Sequence, residues 1–324
     1  MPGRKVLRRL LRPLRKALRP GAVVLGYHRI ADLHWDPLEL AVSAGKFSEQ
    51  VDVLSSKLTV VSLPELARRQ RNGQKLDGLA AVTFDDGYAD FLESALPLLS
   101  RAEVPATIFI ATGCTGHSFW WEELAALLCA SQRSVESIRV TLDCGPHGIV
   151  HTSLSDEASC QRAVRDLCHQ LRGADHSTIA SVLTQLRNQI ASAGATEPEG
   201  RPLTSAELKR LSALDFVDVG GHTVDHGCLG ELSPTAQRQQ IEKCQENLED
   251  AIGRRAVSFS YPNGSLSVET PRLVAECGFL QGCTSEEGTF GPAADPFTVP
   301  RLWAPNVGGA GFERWLSQWS RWKP

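Results

Sequence analysis

Eight short apolar runs alternate with stretches of helical periodicity along this 324-residue chain, and that alternation limits what it can fold into. The runs are Ala22–Tyr27, Leu58–Ser62, Ala80–Phe84, Ala106–Ala111, Phe216–Gly220, Ala256–Tyr261, Leu280–Thr284 and Thr298–Leu302. They are rich in Val, Ile, Phe and Thr, and most are bounded by Gly, Pro or Asp, as buried strands are. Helical patterns lie between them at Ala44–Lys57, Leu63–Asn72, Tyr88–Ala102, Ser205–Ala213, Pro234–Ile252 and Val268–Cys277. Strands that alternate with helices build a parallel sheet with helical crossovers. The spacing predicts an α/β fold, a distorted (β/α) barrel of seven or eight parallel strands. An open doubly wound sheet is the main competitor. No glycine-rich fingerprint follows the first run, which weakens a dinucleotide-binding reading.

One stretch breaks the rhythm. From about residue 112 to 201 no clean strand–helix unit occurs, so this segment reads as a largely helical insertion placed over one end of the barrel. Phe119-Trp120-Trp121-Glu122-Glu123-Leu124 opens a helix, Ser137–Ser153 forms a hairpin turning at Gly145-Pro146-His147-Gly148, and Asp156–Ala193 is mostly helical. The expected organisation is a basic amphipathic helix over 1–20, then a barrel over 21–324 that carries the insertion.

Charge separates the amino terminus from the rest. The chain carries −3 overall, which excludes a general nucleic-acid binder, whereas Arg4, Lys5, Arg8, Arg9, Arg12, Arg15, Lys16 and Arg19 give eight positive charges and leave −11 on the remainder. Val6, Leu7, Leu10, Leu11, Leu14, Ala17 and Leu18 recur at helical spacing. Such a helix would lie on an anionic membrane surface through residues 4–19, or pack as an arm on the barrel or on a partner. There is no secretory-type apolar core and no run long enough to span a bilayer. A cytoplasmic protein, peripheral on the inner face of the membrane, is the expectation. The nine cysteines are scattered singly with no CxxC pair, which fits a reducing compartment better than a disulfide framework.

The chemistry-bearing residues follow the strand candidates, where a β/α barrel places its active site. Thr83-Phe84-Asp85-Asp86-Gly87 ends the third run and His222-Thr223-Val224-Asp225-His226 follows the fifth. Tyr261-Pro262-Asn263-Gly264 caps the sixth and His28-Arg29 the first. Adjacent Asp residues at a strand end point in different directions, so one can ligate while the other faces substrate. Gly87 would let the backbone turn sharply. His222 and His226, four apart, would share one face of a helical turn. One carboxylate and two imidazoles make a three-ligand divalent-metal site with an open position, the apparatus of metal-assisted hydrolysis.

Together these clusters resemble the polysaccharide deacetylase family, also called the NodB-homology or carbohydrate esterase family 4 domain, over Val23 to about Leu302. Thr83–Gly87 looks like its TFDDG motif and His222–His226 like its H-[ST]-x-x-H motif. Tyr27-His28-Arg29-Ile30, Pro105-Ala106-Thr107-Ile108-Phe109 and Phe119-Trp120-Trp121 are similar to stretches in bacterial members associated with exopolysaccharide synthesis. The resemblance implies that Asp86, His222 and His226 hold a divalent metal, usually zinc, and that Asp85 is the base that deprotonates a metal-activated water. It also implies an oxyanion site at a backbone N–H in the Pro262-Asn263 turn. Cobalt, nickel, iron or manganese suit the same ligands.

Two departures from the family pattern shape the remaining expectations. No histidine follows Phe279, so the usual late-motif acid is missing and His28 is the candidate to protonate the departing amine. Ser260 stands where the family commonly carries the Arg that orients the catalytic Asp, and Arg301 is the candidate substitute. Trp120, Trp121, Trp303 and Tyr261 would wall a sugar ring. Trp315, Trp319 and Trp322 recur at helical spacing and would pack an amphipathic helix on the body or on a membrane.

The expected function is a metal-dependent hydrolase removing N-acetyl groups from a GlcNAc-containing polysaccharide or glycolipid precursor. The alternatives are a catalytically degenerate glycan-binding or scaffold protein, or a deacetylase of a non-sugar amide or an O-acetyl ester.

Overall fold

The computed structural model describes residues 21–131, 137–190 and 197–320. The basic helix expected over 1–20 and Trp322 lie outside the described residues. Eight parallel strands make the main sheet: β1 (Val23–Tyr27), β2 (Thr59–Val60), β3 (Leu79–Phe84), β4 (Ala106–Ile110), β5 (Val217–Gly221), β6 (Ser258–Ser260), β7 (Gln281–Cys283) and β8 (Leu302–Trp303). Their order is β7-β6-β5-β4-β3-β1-β8, and β2 pairs with the first residues of β3 beside β4. β1, β3 and β4 are buried along their whole length, as parallel strands covered on both faces must be.

The sheet curls until its edges meet. β8 pairs with β1 through Leu25–Leu302 and Gly26–Trp303, and just before it Val299 bridges Cys283 of β7 in parallel. The Val299 amide donates to the Gly282 carbonyl and the Thr284 amide to the Val299 carbonyl, at 2.8 and 2.9 Å. A seven-stranded, distorted (β/α) barrel results. Thr298–Leu302 was expected as one strand, but Pro300 has no N–H to offer a ladder, so pairing stops at Val299 and resumes at Leu302.

Ten helices flank the strands among the described residues: α1 (Ala44–Lys57), α2 (Leu63–Arg71), α3 (Leu96–Arg101), α4 (Trp120–Ser131), α5 (Glu157–Leu171), α6 (His176–Gln189), α7 (Ser205–Ser212), α8 (Pro234–Ile252), α9 (Thr270–Glu276) and α10 (Gly309–Leu316). Local chemistry sets several boundaries. Ser233 caps the start of α8, Pro234 occupies its first position, and Gly253 ends it at φ 74. Thr204 and Glu207 form a capping box at α7. Tyr88–Ala102, expected as one helix, divides into a π-helical turn at Phe91–Ala95 and α3. Pro97 cannot donate to the turn before it, so the regular ladder fails there.

Between β4 and β5 lie α4, an antiparallel hairpin pairing Ile138–Asp143 with Ile149–Leu154, then α5 and α6. Leu124, Leu128, Val164, Leu167, Val182 and Leu186 lead a hydrophobic cluster of their own, separate from the core inside and around the barrel. At the other end of the chain, Trp319 is buried against the main core and Trp315 stacks on Phe312, so α10 packs on the body.

Candidate active site

β3 delivers the two aspartates. Asp85 is still in ladder register, its amide donating to the Tyr27 carbonyl at 2.9 Å. Asp86 then turns into left-handed space at φ 70 and Gly87 follows at φ 89, where a glycine costs nothing. The two carboxylates therefore face different partners. Arg301, buried at the approach to β8, grips Asp85 with a fork: Nη1 donates to Oδ1 and Nη2 to Oδ2, each at 2.7 Å. The same guanidinium donates to the Ser260 hydroxyl (2.9 Å), the Thr83 hydroxyl (3.2 Å) and the Thr284 carbonyl (3.0 Å). Ser260 Oγ donates to Asp85 Oδ2 at 3.2 Å. Burial pushes the Asp85 carboxyl up, but Arg301, His222 and His28 outweigh it and hold it below the ordinary aspartate range.

β5 delivers the histidines. The His222 amide extends the β4–β5 ladder, donating to the Ile110 carbonyl at 2.9 Å. Its Nδ1 lies 2.8 Å from the Ser260 carbonyl, so that nitrogen carries the proton and Nε2 presents a lone pair. His222 Nε2 and His226 Nε2 lie 3.4 and 3.1 Å from Asp86 Oδ1. The expected helical turn for this pair does not form. Thr223 (φ 61) and His226 (φ 56) are left-handed, and the loop folds both rings back to the aspartate.

Do these residues fit a divalent ion? The three ligand atoms lie within 4.8 Å of one another, and Asp86 Oδ1 is buried with no hydrogen-bond partner. A tetrahedral ion with bonds of roughly 2.0–2.1 Å sets its ligand atoms about 3.4 Å apart. The observed separations from Asp86 match that geometry. The donor set is therefore right in chemistry and in spacing. Burial pushes the Asp86 carboxyl up, but His226 and His222 hold it well below its usual value. Burial alone would lower His222, yet Asp85 and Asp86 raise it.

Backbone strain collects at the same rim. Of the six non-glycine residues with positive φ among those described, Asp86, Thr223, His226 and Asn263 all belong to the site. A β-branched threonine there is an outlier that only a strongly determined surrounding maintains.

The other expected residues line one cavity of about 310 Å³, with the exception of Pro262, which is buried in the short 3₁₀ turn Pro262–Gly264. Trp120 and Trp121 come from α4, and Trp303 and Tyr261 from the barrel. Tyr261 donates its hydroxyl to the Phe297 carbonyl at 2.8 Å, so it contributes a ring to the wall and no free donor. Proline has no N–H, which leaves the Asn263 amide as the donor in that turn. It makes no hydrogen bond among the described residues. His28 stacks on Trp303 at 4.5 Å, and the Arg301 guanidinium lies 4.7 Å from the Trp303 ring. Gly26 permits this, since a Cβ there would stand 2.8 Å from that indole. Burial lowers His28 first, Arg301 and His222 lower it further, and Asp86 and Asp85 offset only part of the effect.

Sequence reasoning missed one buried network. Arg29 donates to Asp90 (2.8 Å) and Glu122 (3.1 Å), Tyr88 donates its hydroxyl to Glu122 (2.8 Å), and Trp121 Nε1 donates to that hydroxyl (2.6 Å). Trp121 in turn lies 4.8 Å from the His226 ring. The insertion is thus fastened to β1 and β3 beside a metal-ligand candidate. The signal was Glu122 directly after two tryptophans: an acid within an apolar face needs a buried partner.

The sequence profile of the polysaccharide deacetylase family matches residues 72–282. The protein YxkH of Bacillus subtilis (strain 168), named for the polysaccharide deacetylases, is 24% identical over 115 residues, a match spanning 35% of this chain and 41% of that one. Among solved structures, the Streptococcus pyogenes deacetylase PplD in complex with acetate is similar with a TM-score of 0.60 at 17% identity, covering 94% of this chain and 100% of that one. IcaB from Ammonifex degensii is similar with a TM-score of 0.58 at 18% identity, covering 93% and 97%. At such identities the likeness of structure concerns the fold, and the profile match carries the assignment. The chain belongs to the polysaccharide deacetylase family.

Proposed function

We propose that this protein is a metal-dependent deacetylase that hydrolyses the acetamide of a GlcNAc-containing polysaccharide or glycolipid precursor. The observation that carries the reading is the buried, unpartnered Asp86 Oδ1 with two imidazole nitrogens around it, beside an Asp85 held ionised by Arg301. A divalent ion, with zinc the best match to these ligands, would supply a Lewis acid for the carbonyl and lower the pKa of a water to near neutrality.

The remaining steps belong to side chains of the chain itself. Asp85 takes a proton from the attacking water. Its lowered pKa makes it a weak base, so it depends on that water already being acidified. The Asn263 amide donates to the oxygen that becomes negative as the carbonyl carbon turns tetrahedral. His28 rests as the neutral imidazole at pH 7, because its pKa is lowered. It therefore acts as an acid only after the proton that Asp85 took from the water has been handed on to it, leaving Asp85 ionised again, and it then passes that proton to the departing amine. The aromatic walls exclude water and stack on the sugar face. No helix among the described residues is long and apolar enough to cross a membrane. The basic stretch 4–19 supports a station on an anionic membrane surface, where a lipid-linked or nascent glycan would be met.

Acetate release from N-acetylated oligosaccharides tests the reading. Asp85→Asn is expected to lower kcat by about 10²–10⁴-fold with folding and metal content kept. Equal turnover by wild type and variant would reject it. Turnover of O-acetyl esters alone would shift the substrate to an ester. Metal-loaded protein that binds glycan without releasing acetate would favour the degenerate glycan-binding alternative.

A further inference from the structure

One wall of the cavity carries charge that hydrolysis of a neutral acetamido sugar does not need. Arg165, His169 and Arg172 stand at i, i+4 and i+7 on α5 and its C-cap, so they share one helix face, and all three line the cavity. All three are exposed. Among the described residues Arg165 donates to the Pro37 carbonyl at 3.4 Å, and no carboxylate lies within 4.0 Å of either arginine's nitrogens. Glu231 packs against the Gly173 backbone beside them without pairing to Arg172. The carboxylates on the opposite wall are committed elsewhere: Arg301 holds Asp85, and Asp86 Oδ1 faces the two histidine nitrogens at the candidate ion site. The mouth thus gathers unpaired guanidinium groups around a site that would hold a cation as well. An anion entering the mouth would meet positive potential from that wall.

We infer that the substrate carries an oxyanion, phosphate or carboxylate, next to its acetamido sugar, and that Arg165 and Arg172 bind it while the acetamide reaches the Asp86–His222–His226 centre. This rests on the deacetylase reading for which group is cleaved, but not for what is bound. Guanidinium groups suit the task because their planar donor pairs match the oxygens of both anions. The two α-carbons are separated along the helix by roughly 10 Å, so their long side chains can approach an extended anion such as a diphosphate from both ends. The spacing also explains why these cations sit on the insertion. The barrel rim carries the proposed catalytic groups, and α5 lines the cavity opposite them together with the tryptophans of α4.

Binding measured by calorimetry in the Asp85→Asn background, at low salt, tests this apart from turnover. The probes are a neutral N-acetylated oligosaccharide, the same oligosaccharide bearing a terminal phosphate, and one containing a uronate. At least one anionic probe is expected to bind about tenfold or more tighter than the neutral one. That advantage should vanish in the R165Q/R172Q double variant and shrink as salt rises. Whichever anion shows it identifies the oxyanion. Equal binding of all three probes, or an equal loss of all three in the double variant, would overturn the inference. Absence of acetate release from any acetylated glycan would instead reject the deacetylase reading, with the binding comparison still deciding this one.

Discussion

Ser260 and Arg301 meet at Asp85 from different strands, one through a hydroxyl and the other through a guanidinium fork. Ser260 is too short to orient Asp85 alone, yet it accepts from Arg301 and donates to Asp85, joining a cation supplied from the far side of the barrel. The consequence for pH has a definite sign. Arg301 holds the Asp85 carboxyl down, so Arg301→Gln lets its pKa rise, and the acidic limb of kcat should move to higher pH. The same variant leaves a buried aspartate without its charge partner and should lose about 3–5 kcal/mol in urea unfolding. An unshifted limb would show that Asp85 is not the titrating base. Asp85, Asp86, His222 and His226 were legible because each lies within a few residues of an apolar run. Asp90 and Glu122 were not, because a lone acid in sequence reveals neither its burial nor its arginine 61 or 93 positions away.

Among the elements, the insertion depends most on a few buried contacts. Arg29 ties α4 to the barrel through Glu122 and to the turn after β3 through Asp90. Replacing it with Met strands two acids in a nearly dry setting and should lower stability by about 3 kcal/mol or more. It should also reduce kcat, because Trp121 loses its support beside His226. Full activity in a destabilised variant would separate the network from the site. At α7, the bond from Arg201 leads in lowering the Glu207 carboxyl to about 2; burial pushes it up, and the Thr204 cap adds to the lowering. A depressed carboxylate stabilises fully above its unfolded pKa and loses that contribution as pH falls through about 2. Glu207→Gln, which keeps the capping box, should flatten the loss of unfolding free energy between pH 5 and pH 2 by roughly 1 kcal/mol after allowance for solvent screening, as read by urea unfolding. Pattern alone placed the hairpin and α5–α6 because turn residues and apolar spacing are local signals. It missed the π turn, although Pro97 marks the break, and it missed the left-handed histidine loop, where Thr223 and His226 take up positive φ.

For the molecule as a whole, the eight apolar runs mapped onto eight strands because a parallel sheet buried on both faces leaves a continuous hydrophobic trace. Closure of the ring left no such trace, since it depends on curvature and on one backbone bridge. The proposed metal ligands follow β3 and β5, so an ion held there would cross-link two strands on either side of β4. Chelation should lower Tm by several degrees, equivalent to about 2–3 kcal/mol if the ion was bound at roughly a hundred times its Kd. In His226→Ala that difference should largely disappear, and a chelator with no effect on wild-type Tm would argue against a resident ion. The bridge between Cys283 and Val299 carries a last implication. Arg301 follows Val299 by two residues, so any fluctuation that parts this join also withdraws the guanidinium from Asp85. Heat would then silence turnover before the helices melt, and amide exchange at Val299 and Thr284 should track the lost activity more closely than circular dichroism does.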